Sequence, residues 1–145
     1  PFQWGSKRTG PDLARVGGKY SNEWQVAHLI SPRDVVPGSV MPPYGFLVRK
    51  TVSTDDIAQH LKTNKAVGVP YTDDMIKSAK QDIAAQQDPA SDGAADLAKR
   101  YPKAAVADFD GDPSRITEMD ALVAYLQVLG RMVDFSKVKP QDLKQ

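Results

Sequence analysis

Cysteine does not occur anywhere in the 145-residue sequence. Its absence excludes disulfides, thiolate metal sites and cysteine nucleophiles within these residues. Histidine is nearly absent: His28 and His60 are the only two, and neither has a second histidine or a carboxylate at the spacing of a metal cluster. His28, on a predicted helix beside Trp24, reads as a packed or half-exposed side chain. No apolar run approaches the roughly 18 residues of a membrane span. Charge of one sign is also missing: 19 basic and 18 acidic residues leave +1, too little to draw nucleic acid or anionic lipid to the whole chain. The basic pair Lys7-Arg8 has no interleaved aromatics and makes no nucleic-acid patch. No serine stands in a nucleophile elbow and no glycine pattern cradles phosphate, so hydrolytic and phosphoryl-transfer machinery are not visible. A start at Pro1 without a signal-peptide pattern predicts a fragment or processed product.

What is present is helical. Hydrophobic content of 41% and charged content of 26% are those of a soluble globular chain, and 145 residues suit one domain. Strand-like alternation is scarce, which predicts an all-α fold. Ser21 caps a helix over residues 22–30 that Pro32 stops, and residues 31–47 read as one long loop broken by prolines. Such loops carry function more often than not. A second helix is expected from Ser53 or Thr54 to Lys65, ended by Gly68 and Pro70. Thr72 caps a third that fades near Gln87, and a short fourth ends near Tyr101. The polar, alanine-rich stretch over about 71–115 reads as an inserted surface hairpin, outside the core. The last helix has a capping-box pattern at Thr117 and Asp120, an apolar stripe of Met119, Leu122, Val123, Leu126 and Leu129, and a stop at Gly130. Residues 135–145 are lysine-rich and are expected to be a loose tail.

Two stretches bear on chemistry. ADFDGDPSRITE (107–118) has the acidity of a calcium loop, but counted from Asp108 it lacks the glycine at position six and the glutamate at position twelve. It reads as an acidic, solvated turn. PGSVMPPY (37–44) places Met41 in the stiffest backbone of the chain, although methionine is generally used where a core needs something that bends. Two roles are open to it: filling a gap beneath the loop, or presenting a thioether to something.

Read in order, TGPDL (9–13), Trp24 with Leu29 and Pro32, PGSVMP and the helix motif ALVAYL resemble the second half of a class I cytochrome c. The longer blocks WGSKRTGPDLARVGGKYS, HLISPRDVVPGSVMPPY, VGVPYTDDMI and TEMDALVAYLQVLG are similar to the membrane-anchored mono-haem subunit II of cbb3-type cytochrome c oxidase. They are spread over most of the chain from Phe2 to about Gly130. The resemblance implies an all-α cytochrome c-like domain and haem c, with Met41 as distal iron ligand. Pro11 and Leu13 would lie beneath the haem, with Trp24, Leu29, Pro42 and Tyr44 as further pocket walls and Arg8 as a propionate partner. It implies electron transfer on the periplasmic side of the bacterial inner membrane. The partners would be the dihaem cytochrome c subunit, a soluble cytochrome c donor and the haem-copper catalytic subunit.

The family attaches haem through Cys-x-x-Cys-His, which this chain lacks. That motif, the first cytochrome helix and the membrane anchor are therefore expected upstream, leaving a soluble piece that holds the distal half of a haem site. The stripe of the last helix would then lack its partner and invite a dimer. The rival reading is a helical protein-interaction domain without a redox role, with Met41 as filler.

Overall fold

The computed structural model describes residues 10–132; the expected tail and Arg8 lie outside them. Among the described residues there are six α-helices and no strand. Helix α1, Asn22–Ile30, starts where Ser21 Oγ accepts from the Trp24 amide at 3.2 Å, a donor that a helix start otherwise leaves orphaned. Pro32 ends α1 but does not open a long loop. It is the first residue of a short helix α2, Pro32–Val35, since proline has no amide to satisfy and its ring presets a helical φ. A 3-10 turn, Gly45–Arg49, closes the same stretch, so only residues 36–44 run without regular structure.

Helix α3, Ile57–Ala66, starts from Asp56, later than Ser53 or Thr54. The cause is tertiary: Thr51 pairs with Thr117 in an isolated antiparallel bridge, and the Val52 amide donates to the Ile116 carbonyl at 2.9 Å. Those contacts hold the chain extended beyond the point where local signals favour a helix. Helix α4, Asp73–Gln87, begins at the expected Thr72 cap. Helix α5, Asp92–Arg100, follows the predicted turn. The polar segment is more than a surface hairpin. Helix α3 packs on α4 and α4 on α5, with Ala79, Ala85 and Leu97 buried. Asp82, itself buried, pairs with both Nε and Nη2 of Arg100.

Helix α6, Glu118–Val128, carries the predicted capping box in full. Its stripe is not left open. Met119 and Val123 are wholly buried and Leu126 nearly so, in a core with Val16, Leu29 and Phe109. Helix α1 and the 3-10 turn at Gly45–Arg49 fold back over α6, and Leu122 and Leu129 pack at the edge of the cluster. Burying each large side chain contributes about 1.5–3 kcal/mol, so the stripe is satisfied within the chain. Of the stripe, Leu122 and Leu129 stay half-buried. The accessible side of α6 is a different one, with Ala121 exposed and Tyr125 59% exposed.

Segment 10–20 is clamped to the end of α6. The Gly17 amide donates to the Leu129 carbonyl at 3.0 Å, and a Cβ on Gly17 would stand 2.6 Å from that oxygen. Opposite it, Gly130 has φ +78, and a Cβ there would fall on the Ala14 carbonyl. Two segments thus meet backbone to backbone because neither carries a side chain at the crossing. Gln127, buried, accepts from the Gly18 amide and donates to the Tyr20 carbonyl and Asn22 Oδ1. Gly130→Ala therefore combines left-handed strain of about 1–2 kcal/mol with a backbone clash. Urea denaturation should show a lower midpoint with unchanged slope, by more than a Gly10→Ala control, which meets nothing within 4 Å.

Candidate functional site

The loop bearing Met41 is pinned at both ends. The Ser39 amide donates to the Val36 carbonyl at 2.9 Å, and Arg33 Nε donates to the Ser39 carbonyl at 3.2 Å. Ser39 Oγ in turn accepts from the Met41 amide at 3.2 Å. On the far side the Tyr44 amide donates to the Leu29 carbonyl at 2.7 Å, tying the loop to the end of α1. Pro37, Pro42 and Pro43 restrict φ between these anchors. Met41 itself is half-buried. It packs against the core cluster and also lines a cavity of about 400 Å³ with Pro32, Arg33, Val40, Pro42 and Pro43. The residue is thus neither wholly exposed nor fully buried.

The other expected site residues divide. Leu29 is buried in the core, and half-buried Tyr44 packs on the same cluster as Met41. Pro42 is exposed and shares the cavity with Met41. Trp24 is half-buried inside a stack: its ring lies 4.0 Å from Tyr20 and 4.7 Å from His28, with planes 14° and 18° apart. Tyr20, Trp24 and His28 recur every four residues, the spacing that aligns side chains along one face of a helix. His28 is thus packed, as the sequence implies, and its partner is Trp24. Pro11 and Leu13 are exposed, Leu13 by 54%. Asp12 Oδ1 accepts from the Ala14 amide and caps the 3-10 turn Leu13–Arg15 beside them.

Sequence reasoning missed Gly17 and Gln127, which hold this segment, and read Gly130 only as a helix stop. A glycine pair followed by lysine was visible, but its partner lies more than a hundred positions away. Gln25 was also missed; it is buried in α1 and its amide nitrogen has no protein partner.

The acidic stretch before α6 is less solvated than expected. Asp108 and Asp110 are half-buried and Asp120 is buried, and one carboxylate oxygen from each lies within 4.8 Å of the others. Internal donors surround them. Asp120 accepts from the Thr117 amide at 2.8 Å, from Gln87 Nε2 at 3.3 Å and from the Asp110 amide at 3.0 Å. The Thr117 hydroxyl faces Asp110 Oδ2 and Asp120 Oδ2, each 2.8 Å away. The node joins the end of α4 to the start of α6. Burial pushes the Asp120 carboxyl above its ordinary value, against the opposing bonds from Thr117 and with added repulsion from Asp110.

The helical architecture of the described residues is that of an all-α cytochrome c-like domain. The chain belongs to the mono-haem subunit (FixO) family of cytochrome c oxidases, whose profile matches residues 1–133. No curated protein matches it. Membership places it among haem-bearing electron-transfer subunits of a multi-subunit, membrane-associated oxidase. Among the described residues no helix is long and apolar enough to cross a membrane. The residues present fit haem on one side: Met41 offers a soft, neutral donor at a cavity edge, and no cysteine is available for thioether attachment.

Two outcomes follow for the polar node. Thr117→Ala removes the α6 cap and should cost about 1–2 kcal/mol in urea denaturation. Asp120 holds its proton more tightly folded than unfolded. Stability therefore carries a term that decreases as pH rises from about 4 through the raised folded value. Asp120→Asn should flatten that slope relative to wild type in a pH series of unfolding midpoints; an unchanged slope would count against it.

Proposed function

We propose that this chain is the C-terminal part of one cytochrome c-like domain and forms the distal half of a haem c site in a cbb3-type oxidase. The sulfur of Met41 would be a ligand to the haem iron. The observation that carries this is the position of Met41 on a loop anchored by Ser39 and by the Leu29 carbonyl, at the boundary of core and cavity. When bound, the haem iron supplies one-electron chemistry, and the protein supplies ligation and burial. A thioether favours reduced iron and raises the potential. Three prolines lower the freedom that ligation would otherwise have to freeze. Leu29 and Tyr44 back the ligand and keep water from it, while Pro42 walls the cavity. Pro11, Leu13 and Trp24 supply further apolar wall, and exposed Leu13 is a surface that a porphyrin would cover. Arg8, outside the described residues, completes the set as propionate partner.

The attaching cysteines and proximal histidine come from polypeptide other than these 145 residues. In the complex the domain faces the periplasm, takes electrons from the dihaem subunit or a soluble cytochrome c, and passes them to the haem-copper catalytic subunit. In the haem-loaded subunit, Met41→Ala should lower the midpoint potential and abolish the sulfur-to-iron absorption band while covalent haem content stays unchanged. A variant with the wild-type potential and band would refute the assignment.

A further inference from the structure

Gln25 stands where its helix calls for an apolar side chain. Asn22, Gln25 and Leu29 recur at the spacing that shares one face of α1, and Asn22 Oδ1 already meets Gln127 of α6 across that face. Leu29, four residues on, is buried in the core, and Gln25 is buried with it, at 4% exposure. Its amide nitrogen is sealed from solvent and finds no hydrogen-bond partner among the described residues. A leucine would fill the same place without leaving a donor behind.

Buried N–H groups are almost always paired, because a donor taken out of water and left unmade is costly. The core shows how this chain treats another buried glutamine. Gln127 spends its amide nitrogen on the Tyr20 carbonyl and Asn22 Oδ1, and its oxygen accepts from the Gly18 amide. Acceptors near Gln25 are already engaged. The Ser21 carbonyl takes the Gln25 backbone amide, and the Leu29 carbonyl takes the Tyr44 amide. An orphaned donor in so well-paired a neighbourhood points to a bound group.

The surroundings say which group. Leu29 belongs to the cluster on which Met41 packs, and Pro32, just beyond the end of α1, lines the cavity beside Met41. Gln25 lies about 6 Å along the helix from Leu29, on the face that leads to that sulfur. A haem lying against this face offers an amide one kind of acceptor. Its ring nitrogens hold iron and its rim is carbon, so the propionate carboxylates remain. An N–H bond to a carboxylate is the strong, charge-assisted kind, whereas a thioether accepts weakly.

We propose that Gln25 Nε2 donates a hydrogen bond to a haem propionate and so fixes the polar edge of the porphyrin while Met41 faces the iron. The inference rests on the haem reading above. It names a buried, uncharged donor for the carboxylate, separate from the cation Arg8.

The test uses the intact subunit with haem attached, reduced so that its low-spin iron is diamagnetic. In nitrogen-edited NMR the Gln25 side-chain amide protons should show cross-relaxation to propionate methylene protons. Gln25→Met keeps length and flexibility but removes the donor. It should displace the infrared carboxylate stretch of isotope-labelled propionates while the sulfur-to-iron absorption band persists. Amide contacts to water or to polypeptide alone, or an unmoved stretch in Gln25→Met, would overturn the proposal. If that variant does not accumulate, the contact in the wild-type protein decides. Met41→Ala separates the two claims. An unaltered band in Met41→Ala, with the Gln25 contact present, would sink the assignment of the sulfur and leave Gln25 standing. A lost band there, with no propionate contact from Gln25 in the wild-type protein, would do the reverse.

Discussion

The packing of Met119, Val123 and Leu126 into the core is the contact on which the rest of the molecule depends. Three wholly or nearly buried side chains on one helix draw α1 and the 3-10 turn at Gly45–Arg49 onto α6, with about 1.5–3 kcal/mol at stake per side chain. Once α1 is seated, its last carbonyls are fixed in space. The Leu29 carbonyl then receives the Tyr44 amide, and the methionine loop is closed between two anchored points. Remove the stripe and the loop keeps its prolines but loses the frame that aims it.

Rigidity and softness therefore have separate sources in the Met41 loop. The backbone is stiff because prolines limit φ and four hydrogen bonds tie it down. The side chain keeps the adaptability and polarizability of a thioether. A loop that positions a soft donor without stiffening the donor itself suits a metal that changes oxidation state. The family to which the chain belongs is a mono-haem one, which weighs against a purely non-redox interaction domain.

The polar middle of the chain changes meaning between sequence and structure. By composition it is a surface elaboration, rich in alanine, glutamine and aspartate. In space it is two helices, α4 and α5, packed beside α3, with a part-buried ion pair and apolar side chains that share a cavity with α6. The polar node of Thr117, Asp110, Asp120 and Gln87 joins the end of α4 to the start of α6. Polar groups here do structural duty at the joint, and the apolar ones face the space beside it.

Local signals carried much of the helix pattern. Ser21, Thr72 and Thr117 each mark a helix start because a cap is made within three residues, and the stop at Gly130 works because its φ is positive. The all-α class, the stiffness around Met41 and the resemblance that identifies the family were legible for the same reason: they lie in short runs of residues. The late start of α3, the cover over the α6 stripe and the burial of Asp120 were not, since each depends on a partner contributed by a distant part of the chain. Gln127 shows the difference most simply. Its sequence surroundings mark it as one polar residue in an apolar helix, yet folding brings it to Gly18, Tyr20 and Asn22. The sequence alone determined which segments coil and which residue can offer sulfur. Tertiary structure decided which faces are hidden and where that sulfur stands, because burial belongs to pairs of surfaces and no single stretch of chain specifies its own partner.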